Sequence, residues 1–130
     1  MMKGILASGL VLGLLMIATA ADAPRDIEVR VSVPTSGWSV QIMEMREVDG
    51  ELWAVSRLIS PPPDAFTLQV ISEVSQTITG PWPDSPARHY VLGRTWKWED
   101  PDQSDYTFID DWDELPEAYA EGRRLYQTAE

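Results

Sequence analysis

Polar and apolar residues alternate along much of this chain with the two-residue period of a strand. From Asp26 to Val33 the alternation is complete, with Ile27, Val29, Val31 and Val33 on one face and Glu28, Arg30 and Ser32 on the other. Successive side chains of a strand point to opposite sides, so this stretch predicts a half-buried strand whose β-branched residues suit an inner, pleated face. Pro34 and Gly37 end it. Residues 38–47 predict a second strand, with Trp38, Val40 and Ile42 in one phase and Met43 and Met45 in the other. A phase change at Ile42-Met43 implies a β-bulge there, or burial of both faces.

Val48-Asp49-Gly50-Glu51 reads as a hairpin, because Asp-Gly tolerates the positive φ angles of a type I′ turn. The returning strand, 52–59, carries Leu52, Ala54 and Leu58 on one face and Trp53, Val55 and Ile59 on the other. Pro61-Pro62-Pro63 lacks amide donors and stops the sheet. Phe66, Leu68 and Val70 then alternate against Thr67 and Gln69, predicting a strand over 66–72 that continues more weakly to residue 79. Gly80-Pro81-Trp82-Pro83 predicts a stiff loop with an aromatic at its tip. Further strands are expected over 89–92 and 106–109, and over 95–98, where Trp96 and Trp98 would share a face. Leu115, Tyr119, Gly122 and Tyr126 recur at helical spacing behind Pro116, which predicts a helix over 116–128. Strands separated by turn signals rather than helices predict an all-β fold, an antiparallel β-sandwich or small barrel with a short C-terminal helix.

The beginning of the chain has a different pattern. Lys3 precedes an apolar run from Ile5 to Ala18, and Ala18-Thr19-Ala20 presents small residues at the positions a signal peptidase reads. The run is shorter than the ~20 residues that cross a bilayer. Residues 1–20 are therefore expected to be a signal peptide, 21–98 a β-sandwich domain and 99–130 an acidic C-terminal segment. The expected location is secreted or periplasmic, with no membrane insertion after cleavage. Such a protein could have used disulfides, but the chain has no cysteine. Its six tryptophans supply buried area instead, each able to cover about 150–250 Å².

Charge narrows the partners. Beyond the leader there are nine Lys and Arg against twenty-one Asp and Glu, a net charge of −12. That balance repels phosphate backbones and anionic headgroups, so nucleic acid and membrane surfaces are not expected partners.

Candidate chemistry is sparse. His89 is the single histidine, and Ser36 and Ser85, the serines that could serve as its nucleophile, lie outside a Gly-x-Ser-x-Gly elbow. Zinc would need further histidines or thiols. Asp100, Asp102, Asp105, Asp110, Asp111 and Asp113 offer hard oxygen ligands, but their spacing departs from an EF-hand loop and no glycine stands among them. No catalytic residue, metal or cofactor is expected. Trp96, Trp98 and Trp82 are of the type that stacks on sugar rings, which makes carbohydrate binding an alternative.

The stretches SGWSVQI, DGELWAV, SPPPDAF and LQVI, between Ser36 and Ile71, resemble the PrcB C-terminal-like domain. In that family a Gly-aromatic pair opens a strand, a glycine-bearing hairpin follows, and prolines precede a strand glutamine; Gly37-Trp38, Gly50, Pro61–Pro63 and Gln69 stand in those places. The resemblance implies a secreted, non-catalytic β module that binds or stabilises a protein partner, a protease first among them. Pro34-Thr35-Ser36-Gly37-Trp38 and Gly80-Pro81-Trp82 are also similar to two loops of chagasin-type cysteine-protease inhibitors, which implies a sandwich whose loops plug a protease cleft. Exposed turn residues bracketing aromatic anchors place the expected partner contact on Thr35, Ser36, Gly37 and Trp38, together with Pro81 and Trp82.

Overall fold

The computed structural model describes residues 23–128; the expected leader, 1–20, lies outside them. The strands are β1 (Arg25–Val33), β2 (Ser39–Val48), β3 (Glu51–Ile59), β4 (Ser72–Gly80), β5 (Ala87–Leu92), β6 (Tyr106–Ile109) and β7 (Arg123–Gln127). One short helix, α1 (Glu117–Ala120), precedes β7. β1 and β4 form a two-stranded antiparallel ribbon, and the other strands form one sheet in the order β6-β5-β3-β2-β7.

The ribbon packs on one face of the larger sheet, an all-β sandwich. Ile27, Val29, Val31 and Val33 of β1 meet Ile42, Met45, Leu52 and Val91 in a dry core. At about 25 cal/mol per Å² of apolar surface removed from water, contacts of this kind supply the main folding drive. The opposite face of the sheet is buried too: Trp53, Val55, Tyr90 and Ile109 lie under Trp112, Leu115 and Tyr119 of the C-terminal segment. Burial on both faces explains why β3 is almost continuously apolar.

The bulge falls where the phase changes. The β2–β3 register shifts between Ile42 and Glu44, so Val40, Ile42 and Met45 all face the ribbon. Asp49 (φ 52°) and Gly50 (φ 82°) make the left-handed pair of the hairpin turn, with Val48 opposite Glu51.

Four features differ from expectation. First, β5 and β6 run parallel to their neighbours β3 and β5. The chain leaves β3, climbs to the ribbon and descends along β4, so it re-enters the sheet at the end where β3 began. Second, residues 66–71 are not a strand; β4 begins only at Ser72, opposite Val33. The chain of β1 bends away at Pro34-Thr35 and turns at Ser36-Gly37, where Gly37 has φ 94°, so it offers residues 66–71 no strand to pair with. Third, residues 95–98 carry no strand. Fourth, the helix stops at Ala120, and residues 123–127 pair with β2 instead of extending it. Gly122 allows the switch: a Cβ there would sit 2.9 Å from the Glu47 carbonyl oxygen and 2.8 Å from Val48 Cγ2. Residues 106–109 and 123–127 thus form the two edges of the sheet that residues 39–92 begin.

Candidate partner-binding site

The two loops expected to act together lie at opposite ends of the sandwich. β1 pairs with β4 from Arg25↔Gly80 to Val33↔Ser72. The Gly80–Pro86 loop therefore follows one end of the ribbon and the Thr35–Trp38 loop the other, separated by roughly 26 Å of strand at ~3.3 Å per residue. Trp82 is not a loop-tip anchor either. Only 7% exposed, it belongs to the main core, donates Nε1–H to the Ile78 carbonyl at 3.2 Å and meets the Tyr126 ring edge-on. Gly80 makes room for it, since a Cβ there would lie 2.4 Å from the indole ring. Pro81 is exposed at this far end, beside a tryptophan that serves packing.

The Thr35–Trp38 end is different. The Ser36 amide donates to the Leu68 carbonyl at 3.1 Å, and the Leu68 amide donates to Ser36 Oγ at 2.8 Å. This pair ties the loop after β1 to the 60–71 connection between the sheets. Trp38 is half-buried and meets Trp96 edge-on at 5.3 Å; Trp96 stacks on Trp98 at 5.5 Å. The tied connection then turns its apolar residues outward. Phe66 is 90% exposed, Ile71 67%, Leu68 56% and Val70 52%, and Ile59 and Trp98 are exposed at the same end. Large apolar side chains gathered in the open on one segment are a common mark of contact sites. Thr35, Ser36, Gly37 and Trp38 are therefore gathered with Phe66 and Leu68, which sequence reasoning assigned to a strand interior. The available signal was Pro34 followed by Gly37: the turn they make carries β1 away and leaves residues 66–71 no partner strand, so an alternating pattern ends up exposed.

His89 is 7% exposed and stacks on Tyr106 at 4.4 Å; burial lowers its pKa from 6.5 to about 4, and its Nδ1 has no hydrogen-bond partner. Ser85 Oγ accepts the Leu52 amide at 3.1 Å and Ser36 Oγ is occupied by Leu68, so neither serine is joined to His89. Asp100 Oδ1 accepts the Asp102 amide and caps a short 3₁₀ turn at Pro101–Gln103. Among the described residues no group of three or more His, Cys, Asp or Glu comes together as a metal site. A cleft of about 650 Å³ lies between β6 and residues 94–104, where the Arg94 guanidinium covers the Phe108 ring at 4.2 Å. Among the described residues no helix is long and apolar enough to cross a membrane.

The chain matches no family model, no curated protein and no solved structure. Its function is read from its own geometry.

Proposed function

We propose that this chain is an exported, non-catalytic β-sandwich module that binds a protein partner through the end formed by Thr35–Trp38 and residues 59–71. One observation carries the reading: Phe66, Leu68, Val70 and Ile71 stand half to almost fully exposed within six residues, on a segment held by two hydrogen bonds to Ser36. A pre-formed apolar surface with an aromatic array beside it suits protein contact, where a few buried aromatic anchors supply most of the affinity. The Trp82 loop takes no part. A one-ended surface fits a stabilising or docking subunit better than an inhibitor that needs two loops in one cleft. Proteases remain the first partners to test, on the resemblance of residues 36–71 alone.

The test is a photo-crosslinker placed at Thr67 in the mature chain, exposed to its own envelope or secreted fraction. A single dominant adduct, lost in Phe66→Ser with Leu68→Ser, supports the reading. Crosslinking that is indifferent to those substitutions, or glycan-array binding without any protein adduct, overturns it.

A further inference from the structure

The two edges of the ribbon are finished differently. On the outer edge of β1, the Arg30 amide donates to the Tyr106 hydroxyl at 3.0 Å. The Gln103 side chain accepts the Ser32 amide at 3.2 Å and donates to the Arg30 carbonyl at 2.7 Å, standing in for the peptide group of an absent strand. Exposed edges template unwanted pairing, and this one is closed by side chains.

β4 is tied to the large sheet on its inner face, where the Ile42 amide donates to Gln76 Oε1 at 2.6 Å, but among the described residues no side chain covers its outer edge in this way. Because Arg30 turns its amide and carbonyl outward, its partner Ser75 must do the same on the other side of the ribbon. With the alternation of an antiparallel ladder, Glu73, Ser75, Thr77 and Thr79 all present amide and carbonyl groups to the open edge. Among the described residues no backbone bond outside the ladder reaches them. The usual protections are missing as well: Ser72–Gly80 contains no lysine and no proline, and its register is unbroken. A two-stranded ribbon is marginal by itself and gains from further strands.

We infer that β4 pairs antiparallel with β4 of a second copy of this chain, joining two ribbons into one four-stranded sheet. The strand is self-complementary about Gln76. A two-fold axis there sets Ser75 opposite Thr77 and Glu73 opposite Thr79, and these are the residues whose backbone groups face outward. Every open donor and acceptor on the edge is then used. Val74 lies opposite Ile78 on the inner face, a favourable β-branched pair. Charge permits the same register. Glu73 is the single charged residue of β4; it faces a threonine rather than its own copy, and Arg30 stands 4.0 Å from it. An isologous contact of this kind closes on itself and stops at two copies. It is independent of the apolar end, so either reading can fail alone.

The test uses the mature protein. Sedimentation should show a concentration-dependent dimer, and Ser75→Lys with Thr77→Lys, which sets lysine against lysine across the axis, should weaken it at least tenfold without changing the melting temperature at concentrations where the wild type is monomeric. Ser75→Cys with Thr77→Cys, in a chain that has no cysteine, should form an interchain disulfide on mild oxidation, because paired residues in this geometry lie about 5.5 Å apart between Cα atoms. Thr79→Cys alone, facing Glu73, should not. A monomer at every concentration, including one whose β4 takes a strand from a different protein, overturns the inference. So does a dimer that ignores the lysines.

Discussion

The Tyr119 hydroxyl donates to the Glu44 carboxylate at 2.5 Å, joining two residues that are both buried. Arg46 and Arg124 complete the carboxylate at 3.3 and 2.9 Å, and Arg46 also donates to the Tyr119 and Ala120 carbonyls. One acid on β2 thereby holds α1 over the sheet and β7 at its edge. Burial, with the adjacent carboxylate second, pushes the Tyr119 pKa far above its ordinary value, so the hydroxyl stays a donor across the working range. Tyr119→Phe keeps the ring and its contact with Trp53 but removes the donor. Unfolding in urea should show a loss of about 1.5–3 kcal/mol, the usual worth of a hydrogen bond to a charged group. A change below ~0.5 kcal/mol would mean that the two arginines satisfy Glu44 unaided.

Acid should weaken the fold through His89. Folded His89 binds its proton less tightly than the unfolded chain does, about 4 against 6.5. Above pH 6.5 both states are neutral and the group contributes no pH dependence. As the pH falls towards 4 the unfolded chain takes up a proton that the folded one refuses, so stability declines by up to ~1.4 kcal/mol per pH unit, roughly 3 kcal/mol in all. Below about 4 this decline stops. Melting temperatures of the wild type and His89→Phe should diverge between pH 6.5 and 5, with the wild type falling faster. Parallel curves would assign the acid sensitivity elsewhere.

Gly80→Ala should be costly although alanine is the better strand former. Its methyl group would overlap the Trp82 indole, and overpacking of this sort costs about 1–3 kcal/mol. Pairing it with Trp82→Leu should recover part of the loss, which a thermodynamic cycle measures directly.

Phe66→Ser with Leu68→Ser should leave stability within about 0.5 kcal/mol of wild type, as expected for exposed positions remote from the core. A large destabilisation in chemical denaturation would show that these side chains pack after all and are not kept for contact.

The alternating stretches were legible because each met the partner that its pattern required. The β1 inner face, the β2 bulge and the Asp49-Gly50 turn follow from spacing alone. Residues 66–71 have an equally good pattern, and there it misled. Alternation reports what a segment could bury, while pairing is decided by a neighbour, here β1, which bends away at Pro34. Trp82 was misread for a related reason: prolines around a tryptophan imply a stiff loop but not the direction in which its ring turns. Residues 123–127 show the limits of weak helix signals. Their spacing suits a helix face, but Glu44 and Glu47 on β2 offer Arg124 and Arg123 carboxylates at 2.9 and 2.6 Å, and tertiary contact prevails over local propensity.

The pairing of β7 with β2 has a kinetic consequence. Arg124 and Glu44 are eighty positions apart in sequence, and the parallel pairs β3–β5 and β5–β6 also join strands that are not consecutive hairpin partners. Little of the large sheet beyond the β2–β3 hairpin can form from local contacts, which places folding in the slow range of milliseconds to seconds typical of such topologies. During that interval β2 has one edge bare, and residues 66–71 are already exposed. The dangerous moment for aggregation is therefore the search for β7, and a chain deprived of it would display the bare edge of β2 together with the apolar side chains of 66–71.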